Sequence, residues 1–315
     1  MRTNNRVKAA GLLWCAAASL GNPTDAKAQW NSDQWLESPV SDEVFENYLG
    51  FFTYDDGLDF RAEVRGSEQR EGIHTEQIRF QSTPGVFVTA DYYRPAGAAR
   101  GSRPHVIVVH GGGPMGKGMM APFAELLVRQ GMNVLAIDLL HFGERTTDLL
   151  TTFTANEKAD RLYNQKPVYL EWVVQTVKDV GRSFDLLTSR YGADPQRIAY
   201  HGFSRGAEVG FIVTGVEKRF GAVSLVYGGH FDRLETGHLA AACPANYVGR
   251  IAPTPTLLLN GRFDSDYDRE LSVDPLHRLF GEPTEIRWVD TGHQRPTPED
   301  QRGIADWLSR QLAGN

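Results

Sequence analysis

The run Gly202-Phe203-Ser204-Arg205-Gly206 most constrains this chain, because it sets a serine between two glycines where an apolar strand gives way to a helix. Ile198 to Tyr200 reads as the end of that strand and Glu208 to Val216 as the helix, so Ser204 falls in the tight turn between them. A turn that sharp has no room for Cβ atoms on either side, and Gly202 and Gly206 supply none. The helix start also aims free N–H groups, and the positive end of its dipole, at any anion forming beside the serine. A plain Gly-rich turn whose serine caps a helix would share this pattern. Its meaning therefore rests on what else the chain brings near it.

Upstream, His105 to Val109 is a short apolar run of the kind that forms a buried parallel strand, and it ends in His110-Gly111-Gly112-Gly113-Pro114. Three glycines let the backbone approach a bound group closely. An N–H from Gly112 or Gly113, with that of Arg205, would make an oxyanion hole. Downstream, the strand Thr256 to Leu259 leads into Asn260-Gly261-Arg262-Phe263-Asp264-Ser265-Asp266. Asp264 is the preferred acid on this loop, with Asp266 and Asp268 as competitors. Thr284 to Val289 reads as the last strand, and His293 follows it after Asp290-Thr291-Gly292. In this arrangement Ser204 is the expected nucleophile, His293 the general base, and Asp264 the carboxylate that fixes the imidazole tautomer.

The order serine, acid, histidine, each just past a strand, is that of the α/β-hydrolases, and the chain resembles that superfamily. Residues 85 to 315, about three quarters of the chain, are most similar to its dienelactone-hydrolase and acetyl-xylan-esterase type. The likeness lies in His110-Gly111-Gly112-Gly113, Gly202-Phe203-Ser204-Arg205-Gly206, Asn260-Gly261-Arg262-Phe263-Asp264 and Gly292-His293. It implies an α/β-hydrolase fold, a mostly parallel, doubly wound sheet of the eight-stranded type with helices on both faces. It further implies a serine triad, no metal or cofactor, and a small-molecule or carbohydrate ester as substrate. Dienelactone hydrolases proper carry a cysteine nucleophile, so Ser204 points instead to an esterase. A prolyl-oligopeptidase-like peptidase is the alternative, but its large preceding domain has no counterpart in residues 29–72. A non-catalytic scaffold of the same fold would gain nothing from keeping all three groups beside a glycine-lined loop.

Arg205 follows the nucleophile as an arginine does in glucuronoyl esterases, whose Gly-Phe-Ser-Arg-Gly run is similar and whose arginine helps hold the oxyanion. The plainer expectation is that it pairs with a carboxylate such as Glu208 along the first helical turn. In either place it would make the cleft more positive and favour an acidic or sugar-acid substrate. After the strand Asn133 to Leu139, the loop His141-Phe142-Gly143-Glu144-Arg145 opens at the same sheet edge as Ser204. That loop and the stretch through Lys166 are the expected substrate wall, with His110, His141 and Arg205 as candidate contacts. The segment His230 to Pro255 is short for a helical lid, which favours an open cleft for short acyl groups.

A net charge of −6, with no basic stretch interleaved with aromatics, disfavours nucleic acid as a partner. The nine histidines are scattered without metal-ligand spacing, and Gly111 to Gly118 lacks the Gly-Lys-Ser/Thr ending of a phosphate-binding loop. Arg2, Arg6 and Lys8, the apolar stretch Ala9 to Leu20, and Ala26-Lys27-Ala28 form a secretory signal with expected cleavage after Ala28. The expected compartment is the periplasm or the exterior, and no segment is long and apolar enough to span a bilayer. Trp14 before Cys15 disfavours lipidation, and Cys243, the other cysteine, reads as a packed thiol. The expected division is thus residues 1–28 as signal, 29–72 as an acidic, aromatic arm packed on the core, and 73–315 as the catalytic domain.

Overall fold

A computed structural model describes residues 33–313; the expected export signal, residues 1–28, lies outside them, as does Trp30 of the arm. Three antiparallel strands open the sheet, β1 (Glu63–Arg70), β2 (Ile73–Thr83) and β3 (Val86–Pro95). β4 (His105–Val109), β5 (Asn133–Ile137), β6 (Ile198–Phe203), β7 (Ala222–Val226) and β8 (Thr256–Gly261) are buried along their whole length. Strands covered on both faces read as unbroken apolar runs, which is why the sequence announced them. β9 (Thr284–Val289) closes the far edge. The order is β1-β2-β3-β5-β4-β6-β7-β8-β9, parallel from β5 to β9.

Alternate side chains along each central strand feed two cores. Ile107 and Val109 join one with α1 (Asp42–Phe52), α3 (Lys166–Arg190) and α4 (Arg205–Val216). Val106 and Val108 join the other with α2 (Ala121–Arg129) and α5 (Pro298–Leu312). Helix starts follow the chemistry of their first residues: Thr297 and Asp300 close a capping box on α5, and Pro167 sits in the first turn of α3, where no N–H is needed.

The sheet has nine strands where eight were expected, and it begins at residue 63, inside the span assigned to the arm. β1 is an edge strand exposed along nearly its whole length, so Glu63-Val64-Arg65-Gly66-Ser67-Glu68-Gln69-Arg70 carries no apolar alternation to read. Pairing with β2 alone makes it a strand. Phe45 and Phe52 of α1 are buried and meet the Tyr247 ring edge-on at 5.6 and 6.0 Å, so these two rings belong to the core.

Chain direction sets the position of the site. From β4 the chain moves outward to β5 and then returns to β6 on the other side, so the sheet's switch point lies between β4 and β6. Ligands bind outside the carboxyl ends of strands at such a point. Val109 pairs with Gly202 in register, which sets the Gly111 loop against the Ser204 turn. At the other edge Gly261 pairs with Val289, so Asp264 and His293 leave the sheet side by side.

Candidate active site

Ser204 sits in the turn between β6 and α4 with φ 54° and ψ −117°, a left-handed conformation that costs an L-residue on the order of 1–3 kcal/mol. Its surroundings enforce it. The Ser204 N–H donates to the Val226 carbonyl at 2.8 Å, and the Tyr200 hydroxyl holds the Gly206 carbonyl at 2.7 Å. A Cβ on Gly202 would collide with the Gly206 carbonyl, and one on Gly206 with the Val109 and His110 carbonyls. The strand and helix cross here at a separation only glycine permits.

The turn presents Ser204 Oγ to His293 Nε2 at 2.8 Å, and His293 Nδ1 lies 2.9 Å from Asp264 Oδ2. Asp264 is buried, and its second oxygen, Oδ1, accepts the N–H groups of Asp266 and Tyr267 at 2.8 and 3.0 Å. One oxygen is thereby fixed and the other aimed at the imidazole. Asp266 has a different role: it pairs with Arg233 at 3.1 Å and comes only to 4.0 Å from Nε2. Asp268 caps the following turn through the N–H groups of Glu270 and Leu271. Of the three acids left open by the sequence, Asp264 alone meets Nδ1.

The glycine loop is held from behind. His110 Nε2 accepts the Leu139 N–H at 3.0 Å, which leaves the ring proton on Nδ1, and Nδ1 donates to the Gly111 carbonyl at 2.6 Å. Burial keeps the ring neutral by pushing its pKa below the usual histidine range. The Gly113 N–H donates to that same carbonyl at 2.9 Å. Both contacts lock the Gly111–Gly112 peptide, and trans planarity turns its N–H, that of Gly112, the opposite way. Gly113 is thus occupied within the loop, and Gly112 and Arg205 carry the N–H groups left beside the serine. Further on, Lys117 anchors the loop to the buried Asp138 through its N–H at 2.7 Å and its ammonium at 2.9 Å.

No protein-family model matches the chain, and no curated protein matches it in sequence. Solved structures do share its architecture. An α/β hydrolase from Penicillium sp. sh18 covers 76% of this chain and 99% of its own at 13% identity, with a TM-score of 0.56. The fold is that of the α/β-hydrolases. Acetyl xylan esterase 1 from Thermoanaerobacterium sp. JW/SL YS485 aligns over 88% of this chain and 98% of its own, at 16% identity and a TM-score of 0.67. An acetyl xylan esterase from Paenibacillus sp. R4 aligns over the same shares at 17% identity and a TM-score of 0.65. At these identities the likeness is one of fold.

Within this α/β-hydrolase fold the cleft at Ser204 has a volume of about 390 Å³, and its walls include Gly111 to Gly113, Lys158, Tyr163, Arg205, Asp232, Asp266, Tyr267 and His293. Two expected contacts lie elsewhere. His110 is buried beneath the glycine loop, and His141 turns away in a left-handed conformation, φ 74°, with Nδ1 2.8 Å from Thr147 Oγ1. The loop 141–145 does not line the cleft; Lys158 and Tyr163, further along the same stretch, do.

Arg205 pairs with Glu208 at 2.6 Å, as its position on the helix suggested, and also with Glu235, while Asp232 lies 3.2 Å from its other nitrogen. Its guanidinium is buried and stacks 3.6 Å above the Tyr163 ring. Burial and the nearby Glu235 push the Glu208 carboxyl well above the usual carboxylate range despite Arg205. Burial also works against Glu235, but Arg205 and His238 outweigh it and hold that carboxyl at about 2. Three acids around one cation overturn the expectation that Arg205 makes the cleft positive. Its side chain serves as a strut among these carboxyls. Arg205→Leu strands these carboxyls without their cation, and unfolding in urea is expected to show a loss of about 3–5 kcal/mol.

Two clusters among the described residues have the donor types of a metal site. In Glu208, Glu235 and His238 the Arg205 guanidinium already supplies the cation. In the other, His230 Nε2 and Asp33 Oδ2 are hydrogen-bonded at 2.7 Å, with Cys243 Sγ 4.0 Å from the imidazole and 3.8 Å from the carboxylate. Only Glu235 and His238 stand close in sequence; the other members come together through the fold, so spacing gave no sign of either cluster.

Proposed function

We propose that the chain is a serine carboxylic ester hydrolase working through an acyl-enzyme, with Ser204, His293 and Asp264 as its triad. The observation that carries this is the hydrogen-bonded chain from Ser204 Oγ through both imidazole nitrogens to a buried carboxylate. Ser204 Oγ attacks the ester carbonyl while His293 Nε2 takes its proton. The carbonyl oxygen gains negative charge between the Gly112 and Arg205 N–H groups at the start of α4. The bond to the alcohol oxygen then breaks as His293 returns the proton to it. Water, deprotonated by the same nitrogen, attacks the acyl carbon, and the acid leaves with Ser204 restored. Asp264 keeps the proton on Nδ1 throughout and stabilises the imidazolium.

Fold neighbours described as acetyl xylan esterases and a methylesterase support ester substrates. An apolar recess of about 30 Å³ adjoins the cleft, sharing Met119, Phe203 and Arg295 with it, and suits a short acyl group. Hydrolysis of chromogenic acetyl through octanoyl esters, with a chromogenic peptide amide for comparison, tests the reading. Serine-dependent cleavage that falls with acyl length is expected; cleavage of the amide in preference would point to a peptidase. The enzyme is further proposed to be exported, on the strength of residues 1–28. N-terminal sequencing of the exported protein should begin at Gln29, and a chain retained in the cytoplasm with its start intact would refute export.

A further inference from the structure

One wall of the cleft has no part in the steps above. The Lys158 ammonium donates to the Gly112 carbonyl at 2.7 Å, and Tyr163 stands beside it with a buried hydroxyl that has no hydrogen-bond partner. Both polar atoms converge on one point. A Cβ grown from Gly112 would meet Lys158 Nζ at 3.2 Å and the Tyr163 hydroxyl at 3.3 Å. That point adjoins the N–H expected to hold the oxyanion.

The donor count shows what belongs there. An ammonium has three donors and Gly112 takes one. Among the described residues no carboxylate lies within ion-pair distance of Lys158. The two acids on the cleft wall are engaged, Asp232 with Arg205 at 3.2 Å and Asp266 with Arg233 at 3.1 Å. Burial and the Arg205 charge press the Lys158 amine below its usual range, a strain that an arriving anion relieves. A buried hydroxyl without a partner likewise gains when an acceptor arrives.

We infer that Lys158 and Tyr163 form a subsite for a carboxylate on the alcohol half of the substrate, so that the preferred esters are short-chain acyl esters of hydroxy acids such as sugar acids. The inference rests on the esterase reading. The apolar recess takes the acyl group, which leaves this wall to the alcohol. Arg205, the residue whose charge first suggested an acidic substrate, is neutralised by its own neighbours, and the cation that serves is Lys158.

The test uses two esters that differ by one carboxylate, 3-acetoxy-4-nitrobenzoate and 2-nitrophenyl acetate, and reads the ratio of their kcat/KM values. Lys158→Gln is expected to lower that ratio about tenfold, through KM for the carboxylated ester, and Tyr163→Phe about threefold. A ratio unmoved by Lys158→Gln, with both esters slowed alike, would show that Lys158 only orients the glycine loop and would overturn the subsite. If the unaltered protein cleaves neither ester, the esterase reading has failed, and calorimetry decides the subsite separately. Binding of D-glucuronate but not D-glucose, lost in Lys158→Gln, would sustain it, and no glucuronate binding would end it.

Discussion

Ser204→Ala is expected to lower kcat on a short acyl ester by about 10⁵- to 10⁶-fold, while the protein stays folded. The hydroxyl is the only atom removed, and it is the one His293 Nε2 approaches at 2.8 Å. Without it the imidazole has no proton to take and the carbonyl no attacking oxygen; the N–H groups of Gly112 and Arg205 remain and support only a slow attack by water. Alanine keeps the same Cβ at the same strained φ of 54°, so the backbone meets no new conflict. The lost hydrogen bond is worth about 1 kcal/mol. An unfolding midpoint close to that of the unaltered protein, alongside the lost turnover, separates a missing nucleophile from a damaged fold.

Asp264→Asn is expected to cost about 10⁴-fold in kcat, and the reason lies in its second oxygen. Oδ1 accepts two backbone N–H groups, from Asp266 and Tyr267, a position only an oxygen can fill. An asparagine must therefore put its carbonyl there and turn its NH₂ toward His293 Nδ1. Two donors cannot face each other, so the imidazole shifts its proton to Nε2 and can no longer accept from Ser204. Asp266→Asn lacks this consequence, because that carboxylate serves Arg233, and a loss within about tenfold is expected. Steady-state kinetics on both variants checks the order, and a larger loss at Asp266 would mean that the acid has been assigned to the wrong residue.

The parallel half of the fold was legible because β4 to β8 are buried on both faces and show as apolar runs, and a polar group follows within a few residues of each strand that serves the site: Ser204 after β6, Asp264 after β8, and His293 after the more exposed β9. Proximity in the chain to a strand end is a local signal, and all three residues have it. β1 has no such signal, since an exposed edge strand shows no alternation. His110 misled because a histidine beside three glycines suggests contact with substrate, whereas its nitrogens are both spent on Gly111 and Leu139. Lys158 and Tyr163 fall in the stretch expected to form the substrate wall, but nothing in their spacing marks them individually, and Asp232 reaches the cleft from a segment that meets theirs only after folding.

The most direct measurement is intact-mass analysis of the protein after exposure to an alkyl fluorophosphonate, followed by mapping of the modified peptide. The account predicts one adduct, on the peptide that contains Ser204, formed at the rate at which ester hydrolysis disappears and absent from Ser204→Ala. Ester hydrolysis that continues with Ser204 unmodified, or an adduct elsewhere that abolishes it, would contradict the assignment of this serine as the nucleophile.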